Sequence, residues 1–229
     1  MKRISSRHNP LFRRVREAIR EHAGEIVIEG PKAVADALAN GWNAIAVITR
    51  DVEFSAELFD ALTETRNPQN VIGLFERPDA QARDILARRD TIAVALDAVQ
   101  DPGNVGTIVR LAAAFDAAGV LLLPGCADAF GPKAIRSSAG AILTVPVASI
   151  TAEELLAADV PLHATAMNGA RSDPPSRNAV LVFGNEGAGV SEVLMRASKT
   201  IAIPMSARVE SLNVAASAAI LLARSYALR

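Results

Sequence analysis

The sequence predicts an α/β protein in two parts, a small N-terminal α/β unit and a larger unit built on a parallel sheet. Three observations carry this. From residue 91 onward, short apolar runs alternate with helical patterns, the signature of a parallel, doubly wound sheet. Three of those runs, Thr91–Leu96, Ala179–Phe183 and Ile201–Met205, each end in a polar or Gly-rich loop. In open parallel sheets such loops gather at the carboxyl ends of the strands, where ligands bind. Between the two parts, the stretch up to Asp90 is charged and sparsely apolar, which marks a connector. The expected division is 1–77, a linker at 78–90, and 91–229.

Taken in order, Leu11, Val15, Ala18 and Ile19 give the first helix one apolar face. Around that face residues 1–20 carry Lys2, Arg3, Arg7, Arg13, Arg14, Arg16 and Arg20 against Glu17, a net +6 on a chain of formal charge −1. A basic head on a near-neutral chain is an electrostatic footprint for phosphate; the plainer reading is a solvated helix face. Glu25–Glu29 is a short strand, and Gly30-Pro31 opens a helix, where proline is favoured. Val34, Ala37 and Leu38 mark that helix and Asn40-Gly41 ends it. A strand at Ala44–Thr49, a helix at Ala56–Thr65 and a strand at Val71–Glu76 complete the first part. Strands at 91–96, 119–124, 142–147, 160–166, 179–183 and 200–204 form the second.

Half of the 229 residues are apolar, enough for a globular chain with a real core. The one cysteine, Cys126, excludes an intramolecular disulfide, suits a reducing compartment and reads as a small core residue. The basic N-terminus has no apolar stretch after it, and the longest apolar run, Val214–Ala223, falls far short of the ~20 residues of a membrane span. A soluble, cytoplasmic protein is expected.

Chemistry concentrates in the three loops. Asp97-Ala-Val-Gln-Asp-Pro-Gly-Asn-Val-Gly-Thr-Ile-Val-Arg110 sets Asn104, Gly106 and Arg110 at N-x-G-x-x-x-R spacing. The apolar residues Ile108, Val109, Leu111, Ala112 and Phe115 place Arg110 in the first turns of a helix. Such a junction offers N–H groups and a fixed cation to an anion; a plain surface arginine is the alternative. Gly184-Asn-Glu-Gly-Ala-Gly189 runs G-x-x-G-x-G, not G-x-G-x-x-G, with no acidic strand end about 20 residues on and no Walker lysine. That disfavours dinucleotide and nucleoside-triphosphate enzymes. Ser211 and Asn213 stand at the mouth of the last helix, placed to bind a ligand, to cap the helix, or both. His8, His22 and His163 fall outside all three loops.

Together these segments resemble the three signature motifs of the SpoU (TrmH-like) branch of the SPOUT RNA methyltransferases. The first matches through Asn104, Gly106 and Arg110, the second through Gly184, Glu186, Gly187 and Gly189, and the third through Pro204, Met205, Glu210, Ser211, Leu212 and Asn213. The stretch Ala127–Gly140 also looks like this family. The resemblance implies a parallel-sheet domain with a C-terminal trefoil knot, although chain topology in general avoids knots. It implies S-adenosyl-L-methionine as cofactor, held by backbone around Gly184, Ile203 and Leu212, and no metal. It implies methyl transfer to a ribose 2′-hydroxyl of RNA, ribosomal before transfer RNA; a non-catalytic RNA-binding or assembly protein is the alternative from another class.

The catalytic set it implies is Asn104, Arg110, Glu186, Ser211 and Asn213. Family accounts make Arg110 central, sometimes as the base, but a guanidinium stays protonated (pKa above about 12), so a phosphate clamp is physically easier. Lys133 and Arg136 are expected on RNA, and the Ala-rich final helix, Leu212–Tyr226, in a two-fold homodimer. Ser5-Ser-Arg-His-Asn-Pro10 and Ile28-Glu-Gly-Pro-Lys32 resemble the substrate-recognition domain of ribosomal RNA ribose methyltransferases. That resemblance points Arg7, Arg13 and Lys32 at RNA.

Overall fold

The computed structural model describes residues 3–21, 24–63, 69–170, 173–206 and 208–229. Lys2, His22 and the end of the helix expected at 56–65 lie outside the described residues. Contacts divide the chain into Met1–Pro78 with Phe130–Ile135, and Asp79–Ala129 with Arg136–Arg229.

In the first unit, helix α1 (Pro10–Glu21) buries Phe12, Val15 and Ala18 and leaves its arginines in solvent. Strand β1 (Glu25–Glu29) leads through Gly30, at φ +108°, into α2 (Pro31–Ala39), which stops at Asn40. Strand β2 (Ala44–Thr49), a short α3 (Ala56–Asp60) capped by the Ser55 side chain, and β3 (Val71–Glu76) follow. The sheet runs β1-β3-β2, antiparallel throughout. Phe12, Phe54, Phe59, Ile48, Ile72 and Leu74 form its core with α1. Phe130, although far along the chain, packs here: its ring lies 6.3 Å from Trp42, and the Arg77 guanidinium stands 4.7 Å from its centre.

The second unit starts with a difference from the expected connector. Residues 82–87 form helix α4 (Ala82–Ala87), whose Ile85 and Leu86 are buried in the core of this unit. Two apolar side chains among charged sequence neighbours were enough to anchor it, because burial of even one leucine-sized group is worth about 1.5–3 kcal/mol. There follow β4 (Ile92–Asp97), α5 (Pro102–Ala114), β5 (Val120–Leu122), α6 (Pro132–Ser138), whose residues up to Ile135 count with the first unit, β6 (Val147–Ser149), α7 (Ala152–Ala157), β7 (Leu162–Ala170), β8 (Ala179–Gly184), α8 (Glu192–Ala197), β9 (Lys199–Ile201) and α9 (Val214–Ala227). The six strands make one parallel sheet in the order β6-β5-β4-β8-β7-β9. Strands β4 and β8 are buried along their whole length at its centre, as continuous apolar runs in a two-sided sheet must be.

Two expected strands shift. The run at 142–147 is a 3-10 turn, Ala141–Leu143, and the strand begins only at Val147. Gly140, at φ +89°, turns the chain there, and Pro146 has no N–H to give a ladder. The strand at 200–204 ends at Ile201, before the proline at 204. Among the described residues, no helix is long and apolar enough to cross a membrane, and no group of three His, Cys, Asp or Glu side chains is placed to hold a metal ion.

Candidate active site

The chain leaves β4 toward β5 and β6 on one side, whereas β8 and β7 lie on the other, so the order reverses between β4 and β8. Asp97 and Gly184, their last residues, face each other in register. A crevice at that switch point is where open parallel sheets bind ligands.

The two loops are stitched together there. The half-buried backbone of Ala98 adopts φ +55° just past β4, and its carbonyl accepts the Asn185 side-chain N–H at 2.9 Å. The buried Asp97 carboxylate accepts the Ser191 N–H at 2.7 Å. Within the loop after β8, Asn185 and Gly189 exchange backbone hydrogen bonds at 2.9 and 3.0 Å. The Asn185 Oδ1 accepts from the N–H groups of Gly187 and Ala188, both at 2.9 Å. Sequence reasoning passed over Asn185; its Asx-turn chemistry beside glycines was the available signal.

Gly184 has a different reason for being glycine than an approach to a flat ligand. A Cβ there would lie 2.1 Å from backbone atoms of Gly189 and Val190, so the loop crosses directly over the strand end. Gly189 sits at φ +74°, which a side chain would strain.

Three separated segments then meet through side chains. Asp101 caps α5 by accepting from the Gly103 and Asn104 N–H groups. From the first turn of that helix, Asn104 donates through Nδ2 to Glu186 Oε1 at 2.8 Å. Its Oδ1 accepts from Asn213 Nδ2 at 3.1 Å. Asn213 in turn caps α9, its Oδ1 accepting from Ala215 and Ala216 at 2.9 and 3.3 Å. The direction of this chain is forced: a carboxylate only accepts and helix N-terminal amides only donate, which fixes both asparagine orientations. Burial pushes the Glu186 carboxyl up, but hydrogen bonds from Asn104 and from the N–H groups of Glu186, Gln100 and Asp101 outweigh that and hold it below the usual range. Glu186 is therefore a firmly ionised acceptor at neutral pH. Asn213 combines capping with a polar link, whereas Ser211 is exposed and has no hydrogen bond among the described residues.

Beside this clasp opens a cavity of about 640 Å³. Gly184, Ile203 and Leu212 all line it, with Glu186, Ser211 and Asn213. Phe183, Val190, Met195, Ile201 and Met205 supply apolar wall, and Thr165 and Met167 from β7 add two residues the sequence gave no reason to choose. The lining contains two carboxylates, Glu186 and Glu210, and no Lys, Arg or His among the described residues. A cation-free cavity does not suit a polyphosphate. Apolar walls, backbone amides and carboxylates suit a flat heterocycle joined to a positively charged arm.

Arg110 is not in the first turns. It is the ninth of the 13 residues of α5, because Asp101 starts the helix at Pro102, earlier than the apolar periodicity suggested. Six residues beyond Asn104, it points about 120° away around the helix and about 9 Å along it. Arg110 does not line the cavity, is exposed, and has no hydrogen bond or ion pair to a described residue. Lys133 and Arg136, both in α6, are also absent from the lining, and both have partners. On the first unit, Arg7 is exposed, Arg13 reaches His8 Nδ1 at 3.2 Å, and Lys32 pairs with Asp36 at 2.5 Å one helical turn on.

A doubly wound parallel sheet with a preformed ligand cavity beside the ends of β7, β8 and β9 defines an α/β enzyme of the nucleotide-cofactor-binding kind. Residues 91–223, more than half the chain, match the model of the SpoU rRNA Methylase family, and the chain belongs to that family. RlmP of Bacillus subtilis, a 23S rRNA (guanosine(2553)-2′-O)-methyltransferase, is 36% identical over 219 residues, 88% of this chain and 84% of that protein. The structure of an AdoMet-bound rRNA methyltransferase from Sinorhizobium meliloti superposes with a TM-score of 0.88 at 30% identity, covering 99% of this chain and 98% of that one. The SpoU methyltransferase AviRb from Streptomyces viridochromogenes, in complex with AdoMet, gives 0.83 at 25% identity over 96% and 98% of the two chains.

Proposed function

We propose that this protein is an S-adenosyl-L-methionine-dependent methyltransferase that modifies a ribose 2′-hydroxyl of ribosomal RNA. The observation that carries this is the cavity: apolar-walled, lined by two carboxylates and no described cation, and closed by a clasp joining all three signature segments. That donor set fits a cofactor with an adenine to sandwich and a cationic arm to neutralise. Ile203 and Leu212 present the apolar walls and backbone groups for its adenosine, next to the tight crossing at Gly184. Bound there, S-adenosylmethionine supplies a methyl group already activated on a sulfonium.

What remains for the protein is to align the hydroxyl and assist its deprotonation. Arg110, exposed and free of described partners, grips the phosphate beside the target ribose and polarises the hydroxyl through it. Ser211, with its hydroxyl uncommitted at the cavity wall, hydrogen-bonds the ribose. Asn104, Glu186 and Asn213 act as positioning residues, since Asn104 is bonded to both of the others and Asn213 also caps α9. Arg7, Arg13, Lys32, Lys133 and Arg136 contact RNA phosphates, where most nucleic-acid affinity arises.

The same reading includes an N-terminal recognition part at 1–77, a catalytic part beginning at 91, a C-terminal trefoil knot, and a cytoplasmic setting where ribosomal RNA is found. It also includes a homodimer: α9 leaves Ile220 and Tyr226 exposed, as is Leu228 just beyond it, and a two-fold contact covers them. Purified protein, methyl-labelled cofactor and separate ribosomal and transfer RNA substrates test the proposal. Label resistant to alkaline hydrolysis is expected in ribosomal RNA. Label on bases, or in transfer RNA alone, overturns it.

A further inference from the structure

The sequence of the third segment includes Glu210, immediately before Ser211-Leu212-Asn213, and no role has yet fallen to it. It lines the same cavity as Glu186, but the two carboxylates are in opposite states. Glu186 Oε1 is taken by Asn104 at 2.8 Å, and hydrogen bonding holds that carboxyl below the usual range. Its negative charge is already answered by the protein. Glu210 is exposed and makes no hydrogen bond or ion pair with any described residue.

The walls around it are largely apolar, with Ile203, Met205, Leu212 and Val214 near it in sequence and in the cavity. A positive group entering such a site loses water, and that cost is met only by an opposite charge or by hydrogen bonds inside. Among the described residues the lining offers one uncommitted charge, and it is negative.

We propose that Glu210 is the counter-charge for the cationic methionine end of the cofactor, binding its ammonium or sulfonium centre. This rests on the function proposed above. Glu210 acts in affinity, through the bound ligand, and takes no part in moving the ribose proton. Glu186 is the poorer candidate because its Oε1 is already engaged by Asn104, whereas Glu210 has neither oxygen committed to a described residue.

Calorimetric titration of the full-length protein with three ligands tests it. S-adenosylmethionine carries both cationic centres, S-adenosylhomocysteine only the ammonium, and 5′-methylthioadenosine neither. Wild-type binding of S-adenosylmethionine checks the underlying reading by itself; its absence would remove the functional proposal before any variant is considered. In Glu210→Gln, affinity for S-adenosylmethionine should fall about tenfold or more, the usual scale for a lost charged hydrogen bond. Affinity for 5′-methylthioadenosine should stay within twofold. A parallel loss for S-adenosylhomocysteine assigns the contact to the ammonium, and an unchanged value assigns it to the sulfonium. Glu210→Asp, which keeps the charge, should recover most of the affinity and guards against a mere loop defect. Unchanged S-adenosylmethionine binding in Glu210→Gln, or an equal loss for 5′-methylthioadenosine, would overturn the proposal.

Discussion

Helix α1 and the loop after β8 are both polar, and both read in the sequence as places where a ligand is met. On α1 the arginines are solvated, and their partners are sparse: Arg14 forks onto Glu25 with contacts of 2.5–3.1 Å, while Arg16 only overhangs the Phe12 ring at 6.0 Å. In the loop after β8, Asn185, Glu186 and the backbone amides are consumed by one another and by the segment after β4. The first arrangement is a charged surface that adapts to a flexible phosphate chain. The second is a preorganised frame whose polar atoms shape a cavity and are not themselves free. Groups that recognise RNA should therefore fail singly and gradually, and groups that frame the cavity should fail steeply.

The largest effect is expected where neither rule applies, at Arg110, which stands on a helix with its charge unanswered among the described residues. Arg110→Ala should lower the single-turnover methylation rate about a thousandfold, within the range of lost positioned catalytic groups, with cofactor affinity unchanged. Arg110→Lys sharpens this. If the planar fork matters for clamping phosphate, Lys should be nearly as damaging and raising the pH should not rescue it; a variant with most of the wild-type rate would reduce Arg110 to generic charge.

Gly184→Ala breaks the frame itself. Its Cβ would sit 2.1 Å from the Gly189 and Val190 backbone, and overpacking against backbone costs about 3 kcal/mol or more. Thermal melts should show that loss together with weakened cofactor binding; a normal melting temperature would mean that the crossing loop moves freely.

Asn104→Asp puts a carboxylate where Glu186 now receives an N–H at 2.8 Å. The lost hydrogen bond and the like charge should cost about 2 kcal/mol, near thirtyfold in rate at neutral pH. Lowering the pH protonates one of the pair and should recover part of the activity, opposite in sign to the wild type. In the wild type the Glu186 carboxyl lies below its ordinary value. Its contribution to stability is complete above the unfolded carboxylate pKa of about 4.3 and fades as pH falls through the lower folded value. A rate that declines alike for both proteins on acidification would show the pair to be uncoupled.

The smallest effects belong to α1 and the segment just before it. Replacing Arg7, Arg13 and Arg16 with Gln should weaken RNA binding about tenfold and reduce the salt slope by about 2, each phosphate contact contributing about 0.7–0.9. Cofactor affinity should not change. Arg14→Gln should alter RNA affinity less than twofold, because its charge already faces Glu25. An equal loss from Arg14 would contradict the contrast between an arginine paired with a carboxylate and those without one among the described residues.

Much of this organisation was legible along the chain. The apolar runs that became β4 and β8 announced themselves because strands buried on both faces need no alternation. Asn213 before an Ala-rich helix signalled a cap. Arg110 was legible as a residue but not in its position: apolar periodicity marks where a helix touches the core, and Asp101 began this helix a full turn before that contact. The segment around 82–87 hid because charged neighbours surround its two burying residues, Ile85 and Leu86. Thr165 became cavity wall through its pairing with Ile201 of β9, and Met167 follows on the same strand; such a pairing leaves no local trace.

The amino-acid sequence by itself determined the α/β class, the three strand-end segments and the residue types they carry, because periodicity and turn chemistry act over a few neighbours. Only the tertiary structure decided what those residues do to one another. It brought Asn104, Glu186 and Asn213 into one hydrogen-bonded chain across 82 and 109 residues of sequence, and it left Glu210 uncommitted in the same cavity. The reason is that a side chain's charge belongs to its chemistry, but whether that charge is already answered depends on what the sheet's strand order folds beside it.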